Sequence, residues 1–354
     1  MSDSKPRVGI TQGDMNGIGP ETIIKALSDP AILELITPVI YSSSKVITAH
    51  RKTIGNEEFH LHIVKSGEPL NGKKVNLVQC FDAEDDVDFG KPSAVSGKLA
   101  LQSIDTAIED IKRGYIDVFV TAPVDKHAVA MALPGFTGHT GYIRSKFNAS
   151  DVLMLLINGN MRIGLVTEHL PLRDVASAVT TDRIVAKGKI MAKSLLEDFG
   201  IRKPRIAVLG LNPHAGDGGE LGNEEKTIIQ PAVEQLTNAG ILAFGPYPAD
   251  GFFGSGNWTK FDGVLAMYHD QGLAPFKALA FSSGVNYSAG LQFIRTSPDH
   301  GTAFDIAGKN QASESSLREA IFTAVDVFRM RNNWAEISAN PLKVQQRQKE
   351  YRER

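Results

Sequence analysis

Three histidines each follow a predicted strand directly. They are His169 in Thr167-Glu168-His169-Leu170-Pro171-Leu172, His214 in Leu211-Asn212-Pro213-His214-Ala215-Gly216, and His269 in Met267-Tyr268-His269-Asp270-Gln271-Gly272. Imidazoles on glycine- or proline-containing loops at strand ends could converge on one divalent cation and leave positions open for a substrate. None shares a helix with another, so no regular spacing enforces the set. By spacing alone each reads as an ordinary hydrogen-bonding histidine before it reads as a ligand. A second group is Lys277, Asn286 and Arg295. A lysine, an amide and a guanidinium aimed at one point clamp a phosphate or carboxylate, the arginine through its planar fork. Surface placement is the alternative. The apolar neighbours at 278–281 and 291–294 predict burial instead, where a charge needs a partner. His50, His60, His62 and His127 sit in polar or helical contexts and carry no assigned role.

Three loops have the composition of ligand-binding turns. In Gly13-Asp14-Met15-Asn16-Gly17-Ile18-Gly19-Pro20-Glu21, a strand ends at Thr11 and a helix starts with Pro20 in its first position. Free N–H groups there suit an anion, although spacing alone favours a plain tight strand-to-helix turn. It is not the G-x-G-x-x-G dinucleotide fingerprint. Phe136-Thr137-Gly138-His139-Thr140-Gly141 could bind a carboxylate or phosphate, or satisfy itself as a hydroxyl-rich turn. Asp299-His300-Gly301-Thr302-Ala303-Phe304-Asp305-Ile306-Ala307-Gly308-Lys309 is dense in small residues and reads as a functional loop.

The elements that must position these residues alternate short β-branched runs with amphipathic stretches, the pattern of parallel strands joined by crossover helices. Strands are predicted at 7–11, 38–41, 75–79, 117–121, 152–157, 162–167, 205–210 and 263–268. Helices are predicted at 97–113, where Leu101, Ile104, Ile108 and Ile111 share a face before Gly114, and at 182–199 and 224–239. Ser316 with Glu319 predicts a capping box for a helix through Phe328. With 354 residues the chain is long enough for roughly two domains. Apolar residues at 42% and charged residues at 22% exclude a disordered chain. The 38 Lys+Arg against 40 Asp+Glu argue against a nucleic-acid partner, which selects for a basic excess. No apolar stretch approaches the ~20 residues of a membrane span. The single Cys80 and the lack of a signal-peptide core fit the cytoplasm. The polar, basic stretch 343–354 reads as a solvated tail.

Taken in order, the motifs resemble a known family. G-D-x-x-G-I-G-P-E at 13–21 and H-G-T-A-F-D-I-A-G-K at 300–309 are similar to motifs of the isocitrate and isopropylmalate dehydrogenases, with Met15-Asn16 extra in the first. F-T-G-H-T, E-H-L-P-L, L-N-P-H-A-G-D-G-G, Y-P-A-D, M-Y-H-D-Q-G-L and G-V-N…F-I-R-T-S narrow the resemblance to the 4-hydroxythreonine-4-phosphate dehydrogenase family, from about residue 9 to 328. The resemblance implies an α/β fold of two α/β/α domains with a cleft between them. Residues 1–130 with 275–354 would form the first, carrying the adenosine-binding loop, and 131–274 the second. It implies metal ligation by His169, His214 and His269, and substrate binding by His139, Thr140, Lys277, Asn286 and Arg295. It implies NAD binding by His300, Gly301, Thr302, Ala303 and Asp305, with catalytic roles for Lys277, Asp270 and Asp250. The divalent cation would be Zn, Mg, Co or Mn, and the working unit a homodimer with shared active sites. The expected reaction is oxidative decarboxylation of 4-phosphohydroxy-L-threonine, in pyridoxal 5'-phosphate biosynthesis. Relatives acting on 4-phospho-D-threonate or 4-phospho-D-erythronate share most of these motifs. Gly141 stands where the family usually has Glu. Rival classes are a metal-dependent hydrolase, which would not need the adenosine motif, and a phosphate acetyltransferase, which would not need the histidines.

Overall fold

The computed structural model describes residues 5–82, 86–136, 138–149, 151–280 and 282–340. Thr137, Phe281 and the basic stretch 343–354 lie outside the described residues. Strands β1 (Arg7–Thr11), β2 (Thr37–Ser42), β3 (Leu61–Val64), β4 (Val75–Gln79), β5 (Val118–Thr121) and β6 (Leu153–Asn158) come first. They are followed by β7 (Met161–Leu165), β8 (Arg205–Leu209), β9 (Leu242–Tyr247), β10 (Gly263–Ala266), β11 (Val285–Ala289) and β12 (Ile294–Pro298). All join one sheet in the order β3-β4-β2-β1-β5-β12-β11-β6-β7-β10-β8-β9. The β-branched runs of β1, β2 and β5 are buried almost throughout, because crossover helices cover both faces of a parallel sheet.

The expected parallel pairing holds in both flanks and gives way to antiparallel pairing at the centre. β11 runs antiparallel to both β12 and β6, and β6 antiparallel to β7. The β6–β7 connection pairs Asn158 with Met161, leaving a two-residue turn of Gly159 and Asn160. A turn that short can only make a hairpin, since a parallel return needs a crossover of a dozen residues or more. Three reversals separate β5 from β7. The C-terminal ends of β5 and of β7 and β10 therefore point in opposite directions along the sheet. β3, β9, β11 and β12 are not among the predicted strands. The last two carry Asn286 and Arg295.

Helix Ala94–Lys112 buries the predicted stripe of Leu101, Ile104, Ile108 and Ile111. It starts earlier than expected because Ser93 and Ser96 cap it reciprocally. Gly97 lets it lie directly on helix Lys126–Ala132, since a Cβ there would stand 2.2 Å from Ala128 O. The capping box at Ser316 is not formed. The last helix runs Ser315–Ser338, ten residues beyond Phe328, and Ser316 Oγ instead donates to Gly284 O at 2.6 Å and accepts from Asp299 N. His269 is not on a loop but opens helix His269–Ala280, which also carries Lys277.

Candidate active site

A cavity of about 1070 Å³ crosses the antiparallel centre of the sheet. Thr121 at the end of β5 and Ser297 on β12 line one side, and Thr167 and His169 beyond β7 line the other. Arg295 lies in its wall and is 1% exposed. Its Nε and Nη2 donate to Thr121 Oγ1 at 3.1 and 2.6 Å, and its Nη1 to Ser288 Oγ at 3.2 Å. Burial brings its pKa down to about 9. Among the described residues no carboxylate pairs with this enclosed guanidinium, and a buried charge without a counter-charge is costly. Three further polar atoms of cavity residues are buried without partners among the described residues, Asn286 Oδ1, His139 Nε2 and His300 Nε2. Burial, then the charges of Arg295 and Lys126, hold His139 neutral, well below the usual histidine range. Lys277 departs from the expected burial. Its side chain is 42% exposed, with Nζ 3.7 Å from Asp299 Oδ1.

His169 and His269 meet at the cavity wall with ring centroids 5.5 Å apart. His169 has left-handed backbone, φ 47, which turns the chain after β7. Its pKa is lowered by burial, then by Lys126 and His269, so the neutral form a metal ligand requires is favoured. His269 Nδ1 donates to Asp270 Oδ1 at 2.7 Å, which fixes the tautomer and leaves Nε2 as the free acceptor. Nitrogen donors prepared in this way fit a divalent transition-metal cation. His214 does not join them. It stands exposed on a turn whose residues 214–218 are all left-handed, and it is not in the cavity wall. Among the described residues no three His, Cys, Asp or Glu side chains come close enough to hold a metal. Asp270 and Asp250 are also absent from the wall.

The loop 300–309 is held by the first glycine motif. Ile18 N donates to Thr302 O at 3.0 Å, and a Cβ on Gly17 would stand 2.8 Å from that oxygen. Glu21, fully buried, accepts from Ala312 N and from Lys25 Nζ through Oε1. The motif at 13–21 thus supports the loop after β12 from below. His300 and Gly301 reach the cavity, whereas Thr302, Ala303 and Asp305 do not line it. Asp305 is exposed on the loop. His300 Nδ1 donates to Gly301 O, so its Nε2, buried and unpartnered, is an acceptor.

Thr140 lines the cavity beside His139, and Gly141 lines it as well. Sequence reasoning missed Lys126, Lys187 and Glu168 in the same wall. Glu168 adjoins His169, and burial raises its pKa against the opposing charge of Lys187. Its neighbour in sequence was the available signal. Lys126 and Lys187 sit on helices and gave none.

A family model described as pyridoxal phosphate biosynthetic protein PdxA matches residues 34–324. The 4-hydroxythreonine-4-phosphate dehydrogenase of Bacteroides thetaiotaomicron is 51% identical over 346 residues, covering 98% of this chain and 95% of that protein. The crystal structure of the 4-hydroxythreonine-4-phosphate dehydrogenase from Klebsiella pneumoniae superposes with a TM-score of 0.80 at 32% identity, over 93% of this chain and 99% of that one. A terephthalate 1,2-cis-dihydrodiol dehydrogenase from Burkholderia xenovorans shares the fold at a TM-score of 0.63 and 27% identity, over 91% of this chain and 98% of that one.

Proposed function

Because the chain belongs to the family of the pyridoxal phosphate biosynthetic protein PdxA, we propose that it is a 4-hydroxythreonine-4-phosphate dehydrogenase. It converts 4-phosphohydroxy-L-threonine and NAD into 3-amino-2-oxopropyl phosphate, carbon dioxide and NADH. Arg295 carries this reading. A buried cation whose partners among the described residues are hydroxyls, beside Asn286 Oδ1 and His139 Nε2, which have none there, is matched by an anionic, polar ligand. A phosphate supplies the charge, and its hydrogen bonds to a cation are stronger than neutral ones.

The reaction balances without a further reactant. The C3–H bond gives up a hydride, the C3 hydroxyl loses a proton, and the C1–C2 bond then breaks. The electron pair left at C2 takes up one proton, which replaces the one released. When bound, NAD would accept the hydride and a divalent cation would withdraw electron density from the C3 oxygen. His169 and His269 would hold the cation, a set that His214 would complete only if its turn moved to the cavity wall; His300, Gly301, Thr302, Ala303 and Asp305 would hold the adenosine end of NAD. Arg295, Asn286, His139 and Thr140 anchor the substrate and so fix C3 against the nicotinamide. Lys277, beside Asp299, moves a proton or clamps the substrate. Asp270 orients His269, and Asp250 acts from nearby.

Asp305 favours NAD over NADP, since a carboxylate accepts from ribose hydroxyls and repels a 2'-phosphate. The active form is a homodimer with shared sites, working in the cytoplasm. Residues 1–130 with 275–354 form one domain and 131–274 the other. Among the described residues no helix is long and apolar enough to cross a membrane. The test is NADH formation with added divalent metal on 4-phosphohydroxy-L-threonine, 4-phospho-D-threonate and 4-phospho-D-erythronate, with carbon dioxide measured alongside. One carbon dioxide per NADH on the first compound supports the assignment. Preference for either sugar acid would move the substrate. NADH without gas would leave a simple alcohol dehydrogenase, and phosphate release without NADH a hydrolase.

A further inference from the structure

We propose that Lys126 binds the C1 carboxylate of the substrate, the group that leaves as carbon dioxide. The inference rests on the substrate class above and goes beyond it to a residue with no assigned role. Three lysines reach the cavity. Lys187 Nζ is held by Asp151 Oδ1 at 2.8 Å and by Val152 O, and Lys277 faces Asp299. Lys126, in the first turn of helix Lys126–Ala132, has no ion pair or side-chain hydrogen bond among the described residues. Its place is nonetheless defined. Nζ lies 3.7 Å, and Cε 3.3 Å, from where a Cβ on Gly138 would stand, immediately before His139. It lines the same cavity as His139, His169 and Arg295. It therefore shares the cavity wall with both Arg295 and the histidine pair, as a cation with no counter-charge among the described residues.

The substrate brings two anionic groups and the cavity offers two kinds of cation. The buried fork of Arg295 suits the phosphate, which keeps its charge throughout. A bidentate buried clamp on the carboxylate would stabilise the ground state of a group that must lose its charge, and so oppose the reaction. An exposed lysine gives a point contact in a wetter setting. It orients the carboxylate and releases it at less cost. Helix Ala94–Lys112, lying on helix Lys126–Ala132 through Gly97, sets where that lysine begins.

The test compares two ligands on the metal-loaded protein by calorimetry, without NAD so that nothing turns over. One is 4-phosphohydroxy-L-threonine. The other is 3-amino-2-hydroxypropyl phosphate, the same molecule with hydrogen in place of the carboxylate. Lys126→Met should weaken the first by about tenfold or more and move the second by less than about twofold. Lys126→Arg should recover part of the loss. Unchanged thermal melting serves as the control for folding, because Lys126 is exposed. Equal weakening of both ligands, or of neither, would overturn the assignment. A wild-type protein that bound neither ligand would bring down the substrate reading, and this inference with it.

Discussion

Arg295 and His50 are both enclosed, with opposite consequences. Arg295 keeps its charge where, among the described residues, its side-chain partners are Thr121 and Ser288, a setting that an anionic ligand would complete. Arg295→Lys preserves the charge and loses the planar fork. The lost charged hydrogen bonds are worth about 1.5–3 kcal/mol, so kcat/KM should fall on the order of tenfold to a hundredfold. Steady-state kinetics showing wild-type kcat/KM would contradict the clamp. His50 gives up its charge instead. Its Nε2 donates to Met15 O at 2.7 Å, Nδ1 is buried without a partner, and burial pushes the pKa down to about 4. Between about pH 6.5 and that value the unfolded chain takes up a proton and the folded chain does not. Stability therefore falls as pH drops through this window, by on the order of 2 kcal/mol at pH 5, and His50 has no effect above it. Asp14, raised to about 6 mainly by burial, works the other way between about pH 6 and 4. Comparing wild type with His50→Gln isolates the histidine. Denaturant titrations should show wild type losing more stability than the variant between pH 7.5 and pH 5, and parallel losses would refute the assignment.

At the scale of elements, the glycine motif after β1 and the loop after β12 form one supporting unit. Gly17 permits the close approach, with a would-be Cβ 2.8 Å from Thr302 O, and Glu21 ties down the far end at Ala312. Gly17→Ala should push the loop 300–309 out of place. The KM for NAD should rise on the order of tenfold, while the substrate KM at saturating NAD changes less. An unchanged KM for NAD would separate the loop from the cofactor. Glu225 plays a comparable part on the other side. Its Oε1 accepts from Leu211 N and Asn212 N at 2.7 and 2.8 Å and anchors the turn that carries His214.

Across the whole molecule, the last helix ties distant parts of the chain together. Arg331 donates to Asp198 Oδ1 at 2.5 Å and to Tyr287 OH at 2.8 Å, and Tyr287 donates to Asp198 Oδ2. Asp198 is 3% exposed, so Arg331→Met would strand a buried carboxylate. The expected loss is about 3 kcal/mol of stability, read as a lower denaturant midpoint. Tyr287 sits on β11 between Asn286 and Ser288, and the variant should therefore also raise the substrate KM. A midpoint within error of wild type would show that the network bears little load. Metal removal acts differently. Exhaustive chelation, verified by elemental analysis, should abolish turnover while leaving the far-ultraviolet circular dichroism nearly unchanged, because catalytic sites need not supply folding energy. Full activity after chelation would remove the metal from the proposal.

Much of this was determined by the sequence alone. The β-branched runs of β1, β5 and β8 and the stripe of helix Ala94–Lys112 are local patterns, and burial follows local periodicity. His169, the loop with His139 and Thr140, and the start of the 300–309 loop also stood out as residue types, and they do reach one cavity. Pairing between distant strands leaves no such trace. Only the tertiary structure decided that the sheet reverses at β11 and β6, so that opposed strand ends face one cavity. It alone decided the direction of each side chain. Arg295 points inward from β12, Lys277 stays half-exposed on a helix, and His214 is carried outside the wall by a left-handed turn. Lys126 lines the cavity from the first turn of a helix that Gly97 lets lie against helix Ala94–Lys112. Periodicity specifies which face of an element is apolar, whereas the site depends on which elements meet and at what angle, and long-range packing settles that.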